Sequence, residues 1–124
     1  MKMNPDLIRE ILLLTESNTS LYDHYEIESD SIPEGLEDYS FSEIEYHIEL
    51  CYKFNFIERE CSFYSITLTD LTPKGHLFLA DIRESRNWIK IKEIATKSGS
   101  FSLSALKEIA IQVVSESIVK SLNL

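Results

Sequence analysis

His47 and Cys51 stand four residues apart in a stretch with helical apolar spacing, so both side chains can face one metal ion or each other. Cys61 or His76 could complete such a site. There is no Cys-x-x-Cys pair, however, and cysteine is commonly buried as a small hydrophobe. No metal ligand is assigned, and His47 and His76 are read as hydrogen-bonded core or boundary histidines. A Cys–His pair at this spacing arises too easily by accident to name a nucleophile and its base. The glycines, Gly35, Gly75 and Gly99, are scattered. That pattern excludes a phosphate-cradling loop, a dinucleotide fingerprint and a nucleophile elbow. Carboxylates are abundant, but nothing singles out a pair. The expectation is a protein without catalytic residues or cofactor.

Charge is the stronger signal. The net charge is −9, and it is unevenly placed. From Glu10 to Tyr52 there are twelve acids and no Lys or Arg, interleaved with Tyr22, Tyr25, Tyr39 and Tyr46. From Lys74 to Lys97 six bases face three acids. An acidic, tyrosine-rich surface suits a basic protein groove, and it also aids solubility. The expected partner-binding residues are Glu43, Glu45, Tyr46 and Glu49 on a helix, with Glu34, Glu37 and Asp38 on the loop before it. Nucleic acid is the less favoured partner, because affinity for phosphates comes from Lys and Arg. The alternative DNA-binding set is Lys53, Arg59, Lys90 and Lys92.

The elements that must position these residues can be read from capping and periodicity. Asn4-Pro5 opens a first helix, with an apolar stripe at Leu7, Ile8, Ile11, Leu12 and Leu14, ending near Ser17-Asn18. Leu21 to Asp30 suits a short strand, and Ser31 to Asp38, with Pro33 and Gly35, a loop. Ser42 can cap a second helix whose Ile44, His47, Ile48, Cys51 and Tyr52 share a core face. Phe56 to Glu60 and Tyr64 to Thr69 are β-prone and joined by Cys61-Ser62-Phe63, a hairpin pattern. Thr72-Pro73 begins a third helix with Leu77, Phe78, Leu79 and Ile82 as its apolar residues. Trp88, Ile89, Ile91 and Ile94 continue helical spacing after a break near Asn87. A last helix from about Ser102 carries a wide stripe through Leu103, Leu106, Ile109, Ala110, Val113, Val114, Ile118 and Leu122. That stripe admits two readings, a homodimer through 102–123 or packing against the first helix.

Two segments carry a resemblance. His47-Ile-Glu-Leu-Cys-Tyr-Lys-Phe-Asn-Phe-Ile57 is similar to the end of a winged-helix recognition helix running into its wing, with Asn55 where glycine is usual. Asparagine also tolerates the left-handed C-cap that position needs. Leu71-Thr-Pro-Lys-Gly-His-Leu-Phe-Leu79 resembles the segment that follows the wing. With Asp6 to Leu13, Trp88, Lys90, Lys92 and Ser102 to Lys107, the chain resembles the bacterial and bacteriophage family called domain of unknown function 2513. The resemblance implies a winged-helix-like fold and a phage or prophage setting, and it carries over no catalytic residue.

The expected architecture is therefore α+β: one domain over 1–124, winged-helix-like (helix, short strand, helix, β-hairpin wing), with a C-terminal helical extension. The apolar run at the N-terminus, Ile11 to Leu14, is too short for a signal peptide core, and a membrane span needs about 20 apolar residues. Two cysteines make no disulfide framework, so a reducing, cytoplasmic setting is expected.

Overall fold

A computed structural model describes residues 1–123 of the protein. Along them run α1 (Pro5–Asn18), β1 (Tyr25–Glu28), α2 (Phe41–Lys53), β2 (Ile57–Cys61), β3 (Ser65–Leu71), α3 (Pro73–Ile82), α4 (Ser85–Ser98) and α5 (Leu103–Leu122). Among the described residues the fold is thus α+β, with five helices and a three-stranded antiparallel sheet of order β1-β3-β2. The chain falls into two compact units, Met1–His76 and a second from Leu77 onward.

In the first unit, α1 begins as its sequence requires. The Asn4 side chain accepts from the backbone N–H groups of Asp6 and Leu7, and Pro5 fills the first helical position, where no N–H is needed. Leu7, Ile8, Ile11 and Leu12 are fully buried, while Leu14 is only half-buried because Thr15 takes the core position at that turn. The start of α2 differs from the expectation. Ser40, not Ser42, is the N-cap, because Glu43 lies three residues after it and completes a reciprocal capping box. The short strand is confined to Tyr25–Glu28 and joins the hairpin as its third member, pairing Tyr25 with Leu68 and Glu28 with Ser65. β2 and β3 each lie one residue later than expected at the turn, which is Ser62-Phe63-Tyr64.

Ile27, Ile57, Ile66, Leu68 and Leu71 are buried on one face of the sheet, and α1 and α2 pack against β3 and β2. Strict alternation would not bring both Leu68 and Leu71 inward. A bulge resolves this: Glu58 pairs with Asp70 and Arg59 with Leu68, leaving Thr69 as the extra residue. The opposite face carries the exposed Glu26, Glu28, Glu58 and Glu60.

In the second unit, α4 and α5 pack on each other. Trp88, Ile91 and Ala95 of α4 are buried, as are Leu103, Leu106, Ala110 and Val113 of α5. Ile89 and Ile94 are exposed, since the buried stripe runs through 88, 91 and 95. Leu77 is likewise exposed, and Phe78, Leu79 and Ile82 form the buried stripe of α3. The helix break falls at Arg83-Glu84, slightly before the expected Asn87. The stripe of α5 is not uniform: burial ends at Val113, and Ile118 and Leu122 are exposed.

Candidate interaction surface

α2 has two chemically different sides. Its inner side holds Ile44, His47, Ile48 and Cys51, all buried. His47 is 1% exposed, and both ring nitrogens are occupied. The backbone N–H of Asn4 donates to Nε2 at 2.8 Å, and Nδ1 lies 2.7 Å from the Glu43 carbonyl oxygen, to which it donates. The imidazole therefore ties the start of α1 to the first turn of α2 and has no nitrogen left for a metal. Burial pushes the Cys51 thiol up to about 12, so it carries no thiolate near neutrality. His76 and Cys61 are exposed, contrary to the boundary role expected of His76, which points away from the buried stripe of α3. No group of three potential metal ligands occurs among the described residues.

The outer side of α2 follows the spacing 42, 45, 46, 49, 52, 53: Ser42, Glu45, Tyr46, Glu49, Tyr52 and Lys53. Tyr52, expected in the core, is 42% exposed, because it lies just outside the buried stripe of Ile44, His47, Ile48 and Cys51, and Tyr46 is 38% exposed. Arg59 of β2 reaches this side. Its Nε and one terminal nitrogen donate to the two carboxylate oxygens of Glu49 at 2.7 and 3.0 Å. The guanidinium carbon lies 3.8 Å from the centre of the Tyr52 ring. The bond to Glu49 holds Arg59 above its ordinary value.

This geometry redistributes the predicted residues. Glu49, assigned to a protein partner, and Arg59, assigned to DNA, engage each other. Glu43 is occupied in capping. Glu45, Tyr46 and Lys53 are exposed on the helix, and Glu34, Glu37 and Asp38 on the loop before it, where Glu37 accepts from the Gly35 N–H at 2.6 Å. Lys90 and Lys92 belong to the second unit. Lys90 lies 3.8 Å from Glu116, and Lys92 stands 5.7 Å from the centre of the Trp88 ring. Sequence reasoning missed Tyr52, whose helical angle lies at the edge of the buried stripe, and the turn residues Phe63 and Tyr64, which are exposed at 92% and 71%.

The base of the hairpin is held by several backbone and side-chain bonds. Asn55 adopts the left-handed conformation, φ 62°, that ends α2, as its place in the sequence predicts. Thr72 donates its N–H to the Phe56 carbonyl at 3.0 Å and its hydroxyl to the Asn55 carbonyl, and it accepts from the Gly75 N–H at 3.0 Å. A Cβ at Gly75 would stand 1.9 Å from the Phe56 carbonyl oxygen. This accounts physically for the Leu71-Thr-Pro-Lys-Gly75 string: a hydroxyl to tie the strand exit to the helix end, and a glycine for close backbone approach.

A family model described as "Hypothetical protein (DUF2513)" matches residues 2–102. The chain belongs to the DUF2513 family. The matched DUF2513 region takes in the first unit, α3 and α4, and stops at the residue that caps α5. An uncharacterized protein of Haemophilus influenzae is 32% identical over 121 residues, covering 94% of this chain and 98% of the relative. No solved structure matches the chain. No helix among the described residues of this DUF2513 protein is long and apolar enough to cross a membrane.

Proposed function

We propose that this DUF2513 chain is a non-catalytic, winged-helix-type regulatory module that meets a basic protein partner through the outer face of α2 and the loop before it. The order helix, strand, helix, hairpin and the strand order β1-β3-β2 support the winged-helix reading. One observation carries the choice of partner. The helix that would enter a major groove presents Glu45, Tyr46, Glu49 and Tyr52, and Arg59, the base beside it, is forked onto Glu49. Phosphates would meet carboxylates first, whereas tyrosine and arginine are the side chains that anchor protein interfaces. The phage or prophage setting implied by the resemblance makes a host defence or nucleic-acid enzyme with a basic groove the fitting target. In such a complex the acidic face would stand in for the charge of DNA.

The test pairs two assays. Affinity capture from a bacterial host lysate, with wild type against Glu45→Lys combined with Tyr46→Ala, is expected to return a basic protein that the variant loses. Gel shifts with duplex DNA at low salt are expected to show no steeply salt-dependent binding. Tight binding that Arg59→Ala or Lys53→Ala weakens would replace the proposal with a DNA-binding regulator using Lys53 and Arg59. A homodimer through 102–123 would pair the exposed Ile118 and Leu122 of α5, so Ile118→Glu would reduce it to monomer in light scattering.

A further inference from the structure

The outer end of the β2–β3 hairpin is built in a way that folding alone does not require. Phe63 and Tyr64 are exposed at 92% and 71%, with ring centroids 5.3 Å apart at 59°. The turn under them is fixed. The Ser62 N–H donates to the Ser65 carbonyl at 2.9 Å, and the Ser29 N–H donates to the Tyr64 carbonyl at 2.9 Å. Two aromatic rings thus stand in water on a hydrogen-bonded turn, giving up the burial their apolar surface favours.

Beside Tyr64 lies an open concavity of about 450 Å³ lined by Glu26, Glu28, Ser29, Asp30, Tyr64 and Ser65. None of these is a base. Glu28 is held above the usual carboxylate range, first by a hydrogen bond with Glu26 and then by the charges of Glu26 and Asp30. A phosphate chain or an anionic lipid surface would meet three crowded acids here. A cation would meet them together with the Tyr64 ring.

We propose that the hairpin tip docks an arginine-bearing segment of a partner protein, its guanidinium seated among Glu26, Glu28 and Asp30 against Tyr64 and an apolar neighbour covering Phe63. Arginine suits the place better than lysine, because its planar group forks onto carboxylates and lies flat on rings. The chain builds this same arrangement internally: Arg59 is forked onto Glu49 and stacked over Tyr52. The inference rests on the proposed reading only in the partner's sign of charge. It places the contact on a surface separate from α2.

The test uses the full chain, isotope-labelled, with a short Arg-Gly repeat peptide as the probe and amide NMR as the readout. Shifts are expected to cluster at residues 26–30 and 62–65. Phe63→Ser combined with Tyr64→Ser keeps the net charge and is expected to weaken binding about tenfold, the loss of a ring contact and its apolar neighbour. Glu28→Gln combined with Asp30→Asn is expected to weaken it as well, while Glu45→Lys combined with Tyr46→Ala leaves the shifts at the tip in place. Equal binding by the aromatic double variant would overturn the inference and leave only general attraction to an acidic protein. Shifts confined to α2 would overturn it while leaving the α2 proposal standing. Tighter binding to single-stranded oligothymidine or to phosphatidylserine vesicles than to the peptide would overturn it in favour of those partners.

Discussion

The hairpin has two ends, and they are made on opposite principles. At its base, backbone touches backbone: the Phe56 carbonyl accepts from Thr72 and closes the space over Gly75, and Asn55 turns left-handed. At its tip, Phe63 and Tyr64 project into solvent. Residue choice at the base is dictated by what lies inside the molecule. At the tip nothing inside dictates it, so the aromatic rings there point to something outside.

The largest effect that would sharpen this contrast is at Gly75. Gly75→Ala forces the α3 start away from Phe56 and is expected to cost about 3 kcal/mol or more, read as a lowered denaturant midpoint. Thr72→Val keeps the shape but removes the hydroxyl that bonds to Asn55 and caps Gly75. Its expected cost is about 1–2 kcal/mol. Thiol chemistry provides an intermediate measure. In native protein at mild alkaline pH, Ellman's reagent should titrate Cys61 alone, with the buried Cys51 thiol, held near 12, reacting only on unfolding. Gly75→Ala should bring the second thiol into reaction at lower denaturant.

At the tip, Phe63→Ser with Tyr64→Ser should leave the melting temperature unchanged, and a large drop would break the comparison. The smallest effect is expected at Glu28. Its carboxyl is raised in the folded state, so folding favours the protonated form, and stability falls as pH rises through the folded value. Glu28→Gln should therefore raise the melting temperature slightly at neutral pH and leave it unchanged in acid, below the ordinary carboxylate range.

Much of the base was legible in the sequence. The left-handed turn at Asn55, the proline-led starts of α1 and α3, and the hairpin between them follow from local chemistry that few residue types satisfy. The start of α2 was misread at Ser42 because two serines compete, and only the Glu43 side chain decides for Ser40. Tyr52 was misread because helical spacing alone cannot place a residue at the margin of a stripe. The candidate surface was partly legible: Glu45 and Tyr46 lie exposed as their spacing implies. Whether Glu49 meets a partner or Arg59 depends on a strand ten residues away in sequence, which no local pattern encodes. The tip escaped notice because periodicity describes what is buried and is silent about rings held in a turn.

The surplus Thr69 in β3 gives the ribbon two parities. Toward the turn, even-numbered side chains of that strand face inward, and past Thr69 the odd-numbered Leu71 does. Removing one residue there would swing Leu71 into water or pull Thr72 off the end of α2. Phe63 stands outside every strand pairing, so exchanging its side chain leaves that phase untouched.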